Sequence, residues 1–136
     1  MKSEGQYTFR VTWENTDTAG YIHNSVAFRY FEIAELEWFR SFGGTWNDFP
    51  KHGFPRIHVE ADFKIPLYFD DECIIKTRCY LLRAAKVGLE HEIWRGDDLC
   101  IKGKVIFTCI LRENGKVQPI PERLRDALIE RMDYAD

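Results

Sequence analysis

No stretch of this 136-residue sequence approaches the roughly 20 consecutive apolar residues needed to cross a bilayer, so a membrane-spanning helix is not expected. The opening residues, Met1 to Gln6, are polar and lack the apolar core of a secretory leader. Neither sign of charge dominates: 19 Lys and Arg against 22 Asp and Glu leave a formal charge of -3. That excludes a general polyanion-binding surface and leaves only a local basic patch open. No nucleic-acid module is recognisable, so no nucleic-acid partner is expected. The four cysteines, Cys73, Cys79, Cys100 and Cys109, form no CxxC pair. Each falls in an alternating apolar segment, which reads as a buried, reduced thiol and argues against zinc. A soluble cytoplasmic protein without a metal is the expectation. Linkers, repeats and low-complexity stretches are missing too. One domain over residues 1–136 is therefore expected, long enough to bury one sizeable core.

Aromatic residues are what the chain has in abundance. Ten Phe, six Tyr and four Trp make up 15% of it, which suggests a densely packed interior, an apolar cavity or a subunit interface. Tyr7, Phe9, Val11 and Trp13 alternate with Thr8, Arg10 and Thr12, the period of a strand with one buried face. A turn-like segment, Glu14 to Gly20, follows. From Asn24 to Phe42 there is neither Gly nor Pro. Asn24 or Ser25 can cap a helix there, and Gly43-Gly44 can stop it. At 100° per residue, Ala27, Phe31, Ala34, Trp38 and Phe42 share one face, while Phe28, Ile33, Leu36 and Phe39 fill most other directions. Only a narrow stripe around Arg29, Glu32 and Arg40 is polar, so the helix is expected to be wrapped by other structure.

Strand signals return at residues 57–65, 72–83, 86–95 and 98–112, rich in β-branched and aromatic residues. Ala84-Ala85 and Gly96-Asp97 are short enough for antiparallel hairpins. Residues 121–132 read as a short C-terminal helix docking through Leu124, Leu128 and Met132. The order predicts an α+β domain: an antiparallel five-stranded sheet wrapped around one long central helix, plus the short C-terminal helix. Open sheet edges favour pairing across a two-fold axis, hence a homodimer or homotetramer.

Chemistry concentrates between the first strand and the long helix. Asp17 lies just upstream of the helix start, whose unpaired N–H groups carry the positive end of the helix dipole. Such amides can stabilise a developing oxyanion, and a carboxylate beside them can attack an acyl carbon or activate water. On spacing alone, closing an Asx turn is the commoner role for such an aspartate.

The segment Asp17-Thr18-Ala19-Gly20-Tyr21-Ile22-His23-Asn24-Ser25, followed by Phe28-Arg29-Tyr30-Phe31-Glu32, resembles the signature of the hotdog-fold thioesterases of the 4-hydroxybenzoyl-CoA thioesterase type. The run Phe54 to Phe63, with Pro66 and Asp70-Asp71-Glu72, is similar to that family's second strand and the bend after it. The two matches cover the chain from about Phe9 to Leu111. The resemblance implies a hotdog fold and hydrolysis of an acyl-CoA, aromatic or fatty, to free acid and CoA. It places Asp17 as nucleophile or general base and the backbone N–H of Asn24 as the group polarising the carbonyl. No separate cofactor is implied, since coenzyme A is part of the substrate, and the acyl-CoA is expected at a dimer interface. Two departures stand out. His23-Asn24 replaces the aromatic or Tyr-His pair common before the helix, and Asp70 stands where Gly is common.

His23 can support Asp17 or the substrate, or pack at the helix entrance. Arg83 and Lys86 flank a hairpin turn, and Lys86 falls close to where relatives place cations against the CoA phosphates; an ordinary solvated turn is the other reading, and Arg78 and Lys64 are weaker candidates. His58, Glu60 and Asp62 share a strand face and can line the acyl pocket, contact a partner or lie solvated. His52 and His91 read as structural or surface residues. Glu35, about 80° from the centre of the helix's main apolar face, is a candidate buried carboxylate. The competing function is a hotdog-like domain that binds an acyl or aromatic ligand without hydrolysing it.

Overall fold

The Gly- and Pro-free run does form one long helix, α1 (Asn24–Ser41), in a computed structural model that describes residues 4–42, 44 and 46–132. The strands are β1 (Gly5–Arg10), β2 (His52–Gly53), β3 (Arg56–Phe63), β4 (Glu72–Leu82), β5 (Lys86–Arg95), β6 (Asp98–Thr108) and β7 (Ile110–Leu111); the short helix is α2 (Glu122–Arg131). Five of them make one antiparallel sheet in the order β1-β4-β5-β6-β3, and β2 pairs with β7 separately. This is the expected α+β hotdog arrangement, the sheet curling over α1. Among the described residues no helix is long and apolar enough to cross a membrane. The four cysteines are free and buried, as expected.

Cross-strand register sorts the sheet into rows. Facing α1, Tyr7, Ile75, Ile93, Ile101 and Phe63 form an apolar row across all five strands. The adjoining row is different: Gly5, Thr77, His91, Gly103 and Ala61 are small or polar. Its glycines make room for the helix. A Cβ on Gly5 would lie 2.5 Å from Trp38, and one on Gly103 2.5 Å from Phe31. On the opposite face, Arg78, Glu90, Lys104 and Glu60 alternate in sign along one row, and Lys76, Glu92, Lys102 and Asp62 along the next. Oppositely charged neighbours directly across strands attract, so this face is built from complementary pairs.

Several boundaries differ from the expectation. β1 stops at Arg10 because Val11 turns away: its N–H donates to Asp71 O and its carbonyl accepts from Asp70 N. Trp13 then sits in a single 3-10 turn and is 71% exposed. The expected strand 98–112 breaks at Cys109, whose carbonyl accepts from Gln118 N, so the chain leaves the main sheet for β7. α1 begins one residue earlier in its capping than expected: His23, not Asn24 or Ser25, is the N-cap, its Nδ1 accepting from Ser25 N. The helix ends at Ser41 with Phe42 as C-cap; Gly43 of the expected stop lies outside the described residues. The sheet covers only part of α1. Phe28, Ile33 and Leu36 remain half-buried rather than wrapped, and on edge strand β3 Ile57, Val59 and Phe63 are each at least 44% exposed. Asp70 adopts φ 72°, the left-handed conformation that Gly favours and that Asp tolerates better than most residues. The bend therefore survives the replacement.

Candidate active site

Residues 15–23 fold into a tight loop between β1 and α1. Thr16 bridges Ile22, Asp17 N donates to Tyr21 O at 2.9 Å, and Gly20 takes φ 89° to close the turn. The far side of the loop is pinned to the bend before β4: Ile22 N donates to Leu67 O and Phe69 N to Gly20 O. Asp17 is exposed and lines an open cleft of about 460 Å³ with Trp13, Thr16, Thr18 and Gly20. Its Oδ1 accepts from Ala19 N at 2.8 Å, so the aspartate does close an Asx turn. That bond also fixes which way the carboxylate points.

The end of α1 facing this loop has an uneven set of donors. Ser25 N–H is satisfied by His23 Nδ1 at 3.2 Å, and Val26 N–H by the His23 carbonyl at 2.9 Å. The N–H of Asn24 has no partner among the described residues. His23 is turned to Ser25, with Nδ1 also 2.8 Å from its hydroxyl, and makes no bond to Asp17.

Asn15 and Tyr30 hold the loop, a role the sequence assigned to neither. Asn15 Oδ1 accepts from Tyr30 Oη at 3.0 Å and from Thr12 Oγ1 at 2.8 Å, while its carbonyl accepts from His23 N. Burial, with Cys73 adding to it, pushes the Tyr30 phenol up to about 12. It therefore stays a hydrogen-bond donor through neutral pH. The available signals were Tyr30's place in the motif that follows Ser25 and its position two turns into a helix whose start carries chemistry.

A family model described as the thioesterase-like superfamily matches residues 11–128. The chain belongs to that superfamily. This thioesterase is 27% identical over 124 residues to a protein of Aquifex aeolicus that carries an esterase name, covering 90% of this chain and 95% of that one. It is 22% identical to the acyl-CoA thioesterase YbgC of Haemophilus influenzae, over 84% of this chain and 85% of that one. The solved structure of a gentisyl-coenzyme A thioesterase superposes with a TM-score of 0.83 at 26% identity, covering 90% of this chain and 98% of the other. Membership makes the protein a thioester hydrolase.

The other residues expected at the site fall in two places, both away from Asp17. Arg83 and Lys86 close the β4–β5 hairpin, where Arg83 N donates to Lys86 O at 2.8 Å; both are exposed. That hairpin lies at the far end of β4 from the Asp17 loop, about 30 Å away at the usual strand rise. His58 and Glu60 lie on the sheet face opposite α1, with His58 Nε2 2.8 Å from Glu60 Oε1. Neither lines the Asp17 cleft. Among the described residues no cluster of three or more His, Cys, Asp or Glu is placed to hold a metal.

The polar row of the sheet leads to a charged group that the sequence only hinted at. Glu35 is 3% exposed and His91 fully buried. His91 Nε2 lies 2.8 Å from Glu35 Oε2, and His91 Nδ1 2.8 Å from Thr77 Oγ1. The second oxygen of Glu35 accepts from Arg56, which also donates to Phe54 O at 2.9 Å. Burial by itself raises the Glu35 carboxyl, but the hydrogen bond and charge of His91, and then those of Arg56, outweigh it and hold it below its ordinary value. His91 is thus a structural residue as expected, and Glu35 is the buried carboxylate its helix position suggested.

Proposed function

We propose that the protein hydrolyses an acyl-CoA, aromatic or fatty, to the free acid and CoA at the Asp17 loop. The observation that carries the reading is the amide of Asn24 at the start of α1, without a partner among the described residues and next in the chain to a loop that presents an exposed carboxylate. An acyl carbonyl oxygen accepting from that N–H gains stabilisation as it becomes an oxyanion. Asp17 then acts on the carbonyl carbon as nucleophile, giving a mixed anhydride and CoA thiolate before water enters. Alternatively it deprotonates the water that attacks. Either route is complete with side chain, amide and water, so no cofactor or metal is needed. His23 supports the site by capping the helix that supplies the amide.

Phosphate recognition by Arg83 and Lys86 needs two subunits, because one protomer keeps them at opposite ends of the sheet from Asp17. The free edge of β3, with Ile57, Val59 and Phe63 exposed, supports a homodimer joined by antiparallel β3–β3 pairing. Antiparallel pairing reverses the ends, setting one subunit's loop near its partner's hairpin. His58 and Glu60 extend across that join on the outer face, where they contact the CoA arm of a bound substrate or a second dimer in a homotetramer. Free, buried thiols support a reducing, cytoplasmic setting.

The decisive test is thiol release from short-chain, long-chain and aromatic acyl-CoAs by the wild type and by Asp17→Asn. Turnover of at least one member, lost in the variant by a factor of about 100 or more, is expected. If no member turns over above Asp17→Asn, the proposal fails.

A further inference from the structure

Between α1 and β3 lies a cavity of about 240 Å³ lined by Phe28, Glu32, Glu35, Arg56, Val59 and Val105. A neighbouring hollow of about 430 Å³ shares Glu32 and Arg56 and continues over Ile33, Leu36 and Trp46. The cavity begins one helical turn beyond Asn24, at Phe28, and is mostly apolar. Its far end is not. There the Arg56 guanidinium sits 5.1 Å above the Phe107 ring and 6.0 Å from Trp46, tied by Glu35 and by Phe54 O.

This arrangement is more than helix–sheet packing requires. An interior ion pair is often no better for stability than apolar residues of similar volume. Here three ionisable groups and a threonine are linked in one chain, Thr77–His91–Glu35–Arg56, whose last two members line the cavity, Arg56 with 24% of its side chain exposed and Glu35 with 3%. One guanidinium nitrogen, Nε, is buried with no partner. Glu35 and His91 cannot shift without stranding each other's polar atoms, so Arg56 is held in place by groups that themselves have no freedom. A rigid donor at the end of an apolar groove is what recognition of one polar group on a largely apolar ligand demands.

The charges around the cavity narrow the ligand. Glu35 is already engaged by Arg56 and His91, but Glu32 adds a carboxylate to the same wall. A second carboxylate on the ligand would face Glu32, and a plain alkyl end would bury guanidinium N–H groups without an acceptor. A hydroxyl meets both demands, accepting from Arg56 and donating to a glutamate oxygen. Distance narrows it further. Asn24 and Glu35 are eleven residues apart, about 16 Å along the helix axis, and side chains lean back toward the N-terminus. At about 1.2 Å per bond of an extended chain, a thioester carbonyl at Asn24 and a hydroxyl at Arg56 are bridged by roughly eight to twelve carbons.

We infer that Arg56, fixed by Glu35 and His91, is a specificity-determining residue that recognises a hydroxyl on the distal part of a medium-chain acyl group. The inference rests on the acyl-CoA reading above and names the acyl class of that site. A pocket built to hydrogen-bond a substrate hydroxyl discriminates strongly against the analogue without it, because its own buried donors are left unpaired.

The test compares kcat/KM for 10-hydroxydecanoyl-CoA with decanoyl-CoA, and for 4-hydroxybenzoyl-CoA with benzoyl-CoA. Wild type, Arg56→Lys and the double variant Glu35→Met/Arg56→Met are measured, with thermal melts confirming folding. The wild type is expected to favour the hydroxydecanoyl substrate by at least about tenfold, while the aromatic pair, too short to reach Arg56, shows no such preference. Arg56→Lys keeps a cation beside Glu35 but loses the forked donors, and the preference falls severalfold. In the double variant it falls to about one. Turnover of decanoyl-CoA without a hydroxyl preference in the wild type overturns the inference and leaves the Asp17 reading intact. A preference that survives both substitutions overturns it as well. Failure of every substrate with the wild type overturns both readings together.

Discussion

His91 Nε2 lies 2.8 Å from Glu35 Oε2, a bond between residues 56 apart that joins the middle of the sheet to the middle of α1. With the carboxylate accepting at Nε2, a neutral ring has Nδ1 free to accept from Thr77. Every polar atom of the imidazole is then satisfied where no water reaches it. Phe31 stacks on the ring at 4.7 Å, sealing it from the other side. Glu35 holds its proton less readily in the folded chain than in the unfolded one. Below the ordinary glutamate range the unfolded chain therefore binds more protons, and stability falls as pH drops through the lower folded value. At neutral pH the contribution is fully present. Melting temperature against pH should show this acid loss in the wild type and a shallower one in Glu35→Gln. The Gln variant should also be less stable at pH 7, by about 3 kcal/mol or more, since it leaves Arg56 half-paired.

Gly103 is the companion of that network in the sheet. A methyl group there would meet the Phe31 ring at 2.5 Å and the Glu60 backbone carbonyl at 2.7 Å. The carbonyl belongs to the neighbouring strand and cannot give way cheaply, so either Phe31 or the β3–β6 register must move. Gly103→Ala is expected to cost about 1–3 kcal/mol in chemical denaturation. Gly115→Ala supplies the contrast, because nothing lies within 4 Å of its added Cβ and only its φ of 71° opposes the change.

These two examples show where the sequence was readable and where it was not. The fold was legible because strand alternation, a helix free of Gly and Pro, and short turns all agree on one order of elements. Asp17 and Asn24 were legible because a local motif surrounds them. Glu35, His91 and Arg56 were not, because they come from three elements and meet only through the register that sets His91 opposite Thr77 and Gly103. Helix periodicity could flag Glu35 as buried, yet no local pattern names its partners. The cap was misread for a different reason. Asn and Ser are the commoner N-caps, but here the His23 carbonyl and ring already serve the first turn. The exposure of Ile57, Val59 and Phe63 on β3 was not legible, because periodicity does not distinguish a core face from a free edge.

Tyr30 and Asn15 give the loop its rigidity, through a 3.0 Å bond from phenol to side-chain oxygen. Tyr30→Phe removes the donor and keeps the ring that packs 4.2 Å from Phe9. The fold should survive with a loss of about 1 kcal/mol, while the Asp17 loop loses its tie to the helix that presents the Asn24 amide. The expected signature is a fall in kcat for thiol release, larger than any rise in KM, with a melting temperature lowered by only about 2–5 °C. A variant that loses stability but keeps kcat would show that the bond serves the fold and not the loop.

The proposed dimer makes the sharpest demand on the exposed edge of β3. Ile57 is 51% exposed and lies outside the Asp17 cleft and the α1–β3 cavity, so its substitution tests the edge without touching either. In a two-fold interface every change is made twice, and Ile57→Asp brings two new carboxylates to a surface that should bury them. Sedimentation should show the dimer weakened by about tenfold or more, the scale of losing one well-packed interface side chain. If CoA phosphates are held by the partner's Arg83 and Lys86, activity must fall along with the dimer, chiefly as a rise in KM. Raising the protein concentration should then restore it. A variant that is monomeric at all concentrations yet retains wild-type KM would place the whole substrate on one subunit, contrary to the 30 Å or so of β4 that separates its two ends.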